Sequence, residues 1–267
     1  MKFTEKIAHI FLPLERMPRV PLVFLVATLV MMLQLPASLL IHEVSLGVGV
    51  AVNEIVVIVG IPFILVWLMH LDAHALFPHT PPRARTWPAI LMLALGAVIV
   101  MDYLMAGSEA FWPLPEKYEQ LLDQVMAVSS APEFAYKLAL LCVLPGICEE
   151  LFFRGFCQTS FTHVRGPVFG IIAAAVLFAL MHGNPWHMHL YLLLGCFLGW
   201  TYSVSGTLIV PIACHIFNNV WTLTHHALGT TLPLKDAPIA LNALVCGGGV
   251  LLMIVGGILF KRLSAVR

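Results

Sequence analysis

Long uninterrupted apolar runs dominate the hydrophobic pattern of this chain. A helix needs about 20 apolar residues to cross a bilayer. Four runs meet that length clearly: Val20–Ile41, Gly47–Met69, Trp87–Met105 and Pro238–Phe260. Each of them predicts a membrane-spanning helix.

A longer apolar region, cut by short breaks, separates the third of these runs from the last. It divides into four further predicted spans: Phe134–Phe153, Pro167–His182, His187–Val204 and Leu208–His225. The predicted fold class is therefore all-α, a polytopic transmembrane helical bundle of about eight spans. No second domain is visible, so we expect a single integral membrane domain over residues 1–267.

The connection before the fifth predicted span contains a different kind of helix. Along Glu116–Met126, apolar residues recur with helical spacing between polar ones. This pattern predicts a helix that lies on the outer membrane surface. A simple amphipathic connector is favoured over a substrate gate.

Composition supports lipid as the solvent of this protein. Hydrophobic residues make up 60% of the 267 positions and charged residues only 10%, against about 25% charged residues in soluble domains. The formal net charge of zero implies no bulk attraction to nucleic acid. The expected surroundings are the lipid bilayer, and the expected location is the cell membrane.

The placement of basic residues predicts the orientation, because Lys and Arg prefer the cytoplasmic side. With eight spans and a cytoplasmic N-terminus, eleven of the 14 lysines and arginines fall on the inner side. The outer side keeps only Lys117, Lys137 and Lys235. Both termini are therefore predicted to be cytoplasmic.

Charged side chains at bilayer depth are costly, so each one asks for a reason. Glu149 and Glu150 are adjacent in an apolar run, and Arg154 follows one helical turn after Glu150. That i, i+4 spacing predicts a Glu150–Arg154 ion pair, which leaves Glu149 unpaired on a different helix face. An unpaired, desolvated carboxylate suits general acid/base work. The alternative is a purely structural ion pair, with Glu149 facing a water-filled gap.

Two further predicted spans carry polar groups. His182 ends the apolar segment that begins at Pro167, while His215 and Asn219 share one face of the next helix but one. Helices can bring these groups to Glu149. A water between Glu149 and His182, with His215 and Asn219 as donors to an oxyanion, would supply the parts for peptide-bond hydrolysis.

A divalent metal such as zinc is the alternative use of these residues. Glu149, His182 and His215 are of the types that bind zinc. The sequence lacks an HExxH motif and asparagine is a poor zinc ligand, so a site without cofactor or metal is preferred.

Other polar residues inside the predicted spans have less specific interpretations. Glu54 and Asp102 are as compatible with inter-helix hydrogen bonds as with function. Used with Glu149 as a proton or ion relay they would suit a transporter, which is disfavoured because no internal repeat is found. Gly195 and Gly199 form a GxxxG pattern, for which packing within the protein is preferred to dimerisation.

Histidines near the predicted outer face have two interpretations. They are interpreted as residues at the membrane interface or, less favoured, as a metal-binding cluster. The residues are His182, His187, His189, His225 and His226.

Three motifs in order resemble those of the CPBP family of intramembrane proteases, also called the type II CAAX prenyl endopeptidase or ABI family. That pattern is EExxxR, FxxxH and HxxxN on successive helices. This chain carries Glu149-Glu150-x-x-x-Arg154, Phe178-x-x-x-His182 and His215-x-x-x-Asn219, and Gly155 is also typical. The resemblance covers about residues 134–228, taken as the catalytic core.

The resemblance implies an endopeptidase with its site in a cavity inside the helical bundle. Glu149 and His182 would activate the water, His215 and Asn219 would stabilise the oxyanion, and Glu150 and Arg154 would support the site. The implied partner is a membrane-associated protein or peptide. A non-catalytic bacteriocin-immunity or scaffold protein remains the alternative, and the resemblance leaves metal dependence open.

The site residues are predicted to lie at different depths in the membrane. At about 1.5 Å per residue, Glu149 and His215 fall near the inner third of their spans, and His182 nearer the outer end of its own. We therefore expect either a span that begins before Pro167 or a broken or tilted helix.

Overall fold

The computed structural model describes residues 16–234 and 237–265, apart from the side chain of His42. Helix accounts for 82% of this part of the chain, which contains no strand. The all-α prediction is thus confirmed. Its longer helices are α1 (Val20–Glu43), α2 (Leu46–Leu68), α3 (Trp87–Phe111), α4 (Glu116–Met126), α5 (131–165), α6 (Pro167–Met181), α7 (Met188–Ser205), α8 (Ile209–Leu228) and α9 (Ile239–Ser264).

Among the described residues, four helices are long and apolar enough to cross a membrane: α1, α2, α3 and α9. They coincide with the four clearest apolar runs. The other four predicted spans fall on α5 to α8, of which α6 is apolar but only 15 residues long. A count of eight spans therefore stays a prediction. The surface helix Glu116–Met126 forms with the predicted bounds.

The charge prediction rests partly on residues outside this description. Lys235 and the basic residues within 1–15 and 266–267 belong to them.

Glycine and proline set the boundaries around the middle helices. Gly166 separates α5 from α6 with φ of 81°, a conformation that residues with a Cβ rarely adopt. Pro167 then occupies the first turn of α6, where its missing N–H costs no helical hydrogen bond. These two residues fix the start of α6 at Pro167.

Close packing through glycine joins two pairs of helices. A Cβ on Gly195 of α7 would lie 2.9 Å from Cα of Ala175 in α6, and one on Gly96 of α3 would lie 2.4 Å from the Met253 nitrogen in α9. The GxxxG pattern of α7 therefore packs within the protein, as expected. Helix α5 lies among α2, α6 and α8.

Three stretches of the described helices are wound as π-helix: Val52–Gly60 in α2, and Leu138–Val143 and Leu151–Gln158 in α5. Such turns are rare and occur frequently at functional sites. Here they hold Glu54 and Arg154, and they flank Glu149 and Glu150. The irregular backbone of this bundle is concentrated around the predicted site residues.

The first turn of α5 is capped on its polar side. The Ser130 hydroxyl accepts a hydrogen bond from the Glu133 N–H, and the Glu133 carboxylate accepts from the N–H and hydroxyl of Ser129. Lys137 lies 3.2 Å from Glu133 and donates to the Ala127 carbonyl.

Candidate active site

Glu150 is the central acceptor of the site. Its Oε1 lies 2.7 Å from Arg154 Nη1 and 2.8 Å from His215 Nδ1, and its side chain is fully buried. The predicted i, i+4 ion pair is therefore present. The same oxygen also binds the imidazole of α8, so Glu150 joins α5 to α8 and orients His215.

Arg154 connects this pair to α7. Its Nη2 donates to the Gly195 carbonyl at 3.1 Å, and its guanidinium lies 4.8 Å from the ring centre of Phe178. One turn later, Gln158 donates to the Gly199 carbonyl at 2.8 Å. Close approach of the glycine backbone lets α5 side chains reach these carbonyls, so the small residues of α7 also serve the site.

His182 has a tautomer set by its surroundings. Its Nδ1 lies 2.7 Å from the Phe178 carbonyl oxygen, which can only accept. Nδ1 therefore carries the proton, and in the neutral ring Nε2 presents a lone pair. That Nε2 lies 4.0 Å from Glu149 Oε2.

Glu149 faces both histidines with one oxygen. His215 Nε2 is 3.9 Å from the same Oε2 that His182 approaches, and this buried oxygen has no hydrogen-bond partner in the protein. Both separations exceed direct hydrogen-bonding distance. A carboxylate and two imidazoles, from three helices, thus converge on one small volume.

Aromatic side chains hold the two imidazoles. The His182 ring stacks on Tyr191 with 4.0 Å between ring centres, and Phe178 lies 4.4 Å from His182 and 5.8 Å from His215. Helix α6 begins at Pro167 and no earlier, yet His182, directly after its last residue, reaches Glu149. The expected mismatch in depth does not separate the site residues.

Asn219 lies one turn beyond His215 on α8. Its amide oxygen accepts from Asn218 Nδ2 at 3.2 Å. The NH2 group of Asn219 supplies the two hydrogen-bond donors of its side chain.

The other polar residues of the predicted spans differ in their contacts. Asp102 accepts from the indole N–H of Trp221 at 2.8 Å, the expected kind of inter-helix hydrogen bond. Glu54 is instead bonded to its neighbour Asn53 at 3.1 Å, and its second oxygen is buried without a partner. Glu54 lines the same cleft as His182, so it is a polar neighbour of the site that the sequence left unassigned.

The remaining histidines pair with carboxylates or rings. His187 lies 3.6 Å from Glu109, and His226 lies 3.0 Å from Asp123 of α4, while His225 stacks on Trp221. Tyr118 of α4 also packs on Trp186. The His226–Asp123 and Tyr118–Trp186 contacts attach α4 to the bundle, and the interfacial role of the histidines stays a prediction.

The donor geometry bears on whether the site can hold a metal ion. Within residues 16–234 and 237–265, no group of three or more His, Cys, Asp or Glu side chains is placed to hold a metal ion. Glu149, His182 and His215 offer a common zinc donor set by type, with nitrogen-to-oxygen separations of 3.9 and 4.0 Å.

The described part of the chain combines four helices of membrane-spanning length with a buried carboxylate–histidine cluster. Residues 131–221 match the family model described as Type II CAAX prenyl endopeptidase Rce1-like. This segment contains all six predicted site residues, and the match confirms the family resemblance. No curated protein and no solved structure gives a significant match.

Two contributors to the site were not predicted from the sequence. Gln158 could have been found, because it lies i+4 from Arg154 and so on the same helix face. Tyr191 carried no signal, since its contact with His182 depends on how α6 and α7 pack.

Proposed function

We propose that this protein is an intramembrane endopeptidase that hydrolyses a peptide bond of a membrane-associated or lipid-anchored substrate. The observation that carries the proposal is the convergence of Glu149 Oε2 with two imidazole nitrogens, at 3.9 and 4.0 Å. It occurs inside the segment that matches the CAAX prenyl endopeptidase model.

In the proposed reaction Glu149 is the general base. An oxygen atom can lie about 2.8 Å from both Glu149 Oε2 and His182 Nε2, the normal length of such hydrogen bonds. A water held there gives its proton to Glu149 as its oxygen adds to the substrate carbonyl. Glu149 then returns that proton to the departing amine nitrogen, so no covalent intermediate is needed.

The oxyanion is stabilised by His215 and Asn219. His215 donates through Nε2 as an imidazolium, which the buried Glu150 carboxylate would stabilise through Nδ1 at 2.8 Å. Asn219 donates through its amide N–H. Arg154 and Glu150 support this arrangement by holding His215, and donors of this kind contribute about 3–4 kcal/mol each in other hydrolases.

This mechanism uses no cofactor. The alternative is a bound divalent ion such as zinc, which Glu149, His182 and His215 would hold and which would lower the pKa of the water. Rigorous metal removal separates the two. Full activity after dialysis against a chelator supports the metal-free reaction, and loss that added zinc restores supports the alternative.

The proposed setting is a single domain, residues 1–267, with eight spans and a catalytic core at 134–228 around an intramembrane cavity. Both termini are cytoplasmic and the protein lies in the cell membrane. A reporter fused after Arg154 tests this orientation. A cytoplasmic signal is expected, and a signal from the opposite side contradicts it.

Cleavage in proteoliposomes tests the function. The first probe is a farnesylated peptide ending in a CAAX sequence, followed by candidate membrane proteins. Wild type is expected to cleave, and Glu149→Ala and His215→Ala to lose most of the activity. Equal processing by all three proteins would remove the proposed roles.

A further inference from the structure

A cleft beside His182 is built mainly by helices outside the matched segment. It has a volume of about 560 Å³ and lies between α1, α2 and the end of α6. Met32 and Leu35 at its edge are 64% and 72% exposed, so it opens toward the surrounding lipid. Its lining includes both His182 and Glu54.

Three residues of this cleft carry buried acceptor oxygens without partners. They are Gln34 Oε1 on α1 and Asn53 Oδ1 and Glu54 Oε2 on α2. The Glu54 side chain is only 4% exposed. Buried acceptors left unpaired are costly, and three around one cleft indicate a ligand that brings hydrogen-bond donors.

The backbone of α1 adds to this acceptor character. Pro36 lies inside α1 and has no N–H to donate to the carbonyl of Met32, one turn earlier. Met32 also lines the cleft. Helix irregularity at membrane depth is tolerated where it lines a cavity.

The complementary ligand has N–H groups and apolar side chains. Acyl chains of a lipid offer no donors, whereas an extended peptide offers one N–H per non-proline residue. Inside a membrane such a peptide must find acceptors, because water is absent. Most of the remaining wall, including Met31, Leu35 and Met181, is apolar, and the Ser38 hydroxyl in it donates to the Leu35 carbonyl.

We propose that this cleft binds an extended segment of the substrate, whose backbone N–H groups donate to Gln34, Asn53 and Glu54. The inference rests on the proposed endopeptidase function and adds to it a set of substrate-binding residues. The segment would approach His182 from the lipid side, between α1 and α2.

Steady-state cleavage of the farnesylated CAAX peptide tests these hydrogen bonds. Glu54→Leu is expected to raise KM about ten- to a hundredfold, the value of a hydrogen bond to a charged group, with a smaller change in kcat. Glu54→Gln keeps an acceptor and is expected to restore most of the binding. Ile55→Leu, on the exposed side of the same helix, is the control.

Ester substitution in the peptide identifies the donor. Away from the scissile bond, each amide N–H is replaced in turn by an ester oxygen. At least one replacement should raise KM in wild type and have little further effect in Glu54→Leu. If KM is unchanged in Glu54→Leu, or if every ester acts equally on both proteins, the inference is overturned.

Photo-crosslinking tests binding without requiring activity. A photoreactive residue in place of Met31 should label the peptide in a Glu149→Gln background, and one in place of the lipid-facing Trp67 should not. If only lipid is labelled at Met31, the cleft is not a peptide site, even when wild type cleaves. Labelling at Met31 without any cleavage by wild type supports the cleft and counts against the proposed function.

Discussion

The segment that carries the site and the helices that flank it are held together in different ways. In α5 to α8, buried polar side chains bridge the helices, as Glu150 does to His215 and Arg154 does to the Gly195 carbonyl. In α3 and α9, backbones meet closely at Gly96 and Gly256, and much of α9 faces outward, with Leu244 72% exposed.

This contrast has a physical reason. Lipid is as apolar as leucine, so the hydrophobic effect does not favour one helix arrangement over another, and van der Waals packing and hydrogen bonds must do so. Directional hydrogen bonds in a low dielectric specify positions more sharply. A catalytic site needs that precision, whereas the flanking helices need only to stay in contact. Changes to polar groups in the site segment should therefore cost more than changes in the flanking helices.

The largest effect is expected from breaking the buried ion pair. Arg154→Ala leaves Glu150 buried and uncompensated, which should lower the free energy of unfolding by about 3–5 kcal/mol and abolish activity. Thermal unfolding in detergent measures the first effect. The double variant Glu150→Leu with Arg154→Met should recover stability but not activity. If Arg154→Ala unfolds like wild type, polar bridging does not hold the site segment together.

Glycine substitutions should next separate glycines at helix contacts from glycines that face open space. Gly195→Val forces a side chain against Ala175 and should cost about 1–3 kcal/mol, with loss of the Arg154 contact. Nothing lies within 4 Å of a Cβ placed on Gly248 of α9, so Gly248→Ala should be neutral or stabilise by up to about 1 kcal/mol. Equal melting temperatures for the two variants would erase this difference.

Trp221 of α8 links the two regions through its hydrogen bond to Asp102 of α3. Loss of this bond should lower the free energy of unfolding moderately. Trp221→Phe removes the 2.8 Å hydrogen bond and leaves a carboxylate without its partner, which should cost about 1–3 kcal/mol. Trp67→Phe, at a 74% exposed position, is the control and should change little. The same thermal assay compares them.

The smallest effect is expected at the capped start of α5. Hydrogen bonds from Ser129, with a contribution from Lys137, lower the pKa of Glu133 from 4.5 to about 2. A carboxyl group whose pKa is lowered in the folded state stabilises that state at pH values above its ordinary pKa. That contribution should disappear as pH falls from about 4.5 to about 2. Amide exchange of Ala131–Lys137 should follow this range in wild type and be less sensitive to pH in Glu133→Gln.

Local spacing accounts for what the sequence predicted well. The bounds of Glu116–Met126 and the Glu150–Arg154 pair follow from helical periodicity alone, and the four clearest spans follow from length and apolarity. The site residues were found because polar groups inside apolar runs are costly and therefore conspicuous.

Contacts between helices account for what was missed. The Arg154 bond to Gly195 and the Gln158 bond to Gly199 each join positions 41 residues apart, and local sequence does not encode such a register. The unpaired oxygen of Glu54 was equally hidden, because an inter-helix partner was as reasonable for it as for Asp102. Of the two explanations expected for the difference in depth between His182 and Glu149, an earlier start of α6 is wrong, because α6 begins at Pro167.

The most direct test of the central claim is whether the peptide is still cleaved when one carboxylate oxygen of Glu149 is replaced by an amide nitrogen. Glu149→Gln keeps the shape of the side chain but removes the base. In proteoliposomes with the farnesylated CAAX peptide, mass spectrometry should find a single new carboxyl terminus with wild type and at least about a hundredfold less with Glu149→Gln. The same product at the same rate from both proteins would contradict the central claim.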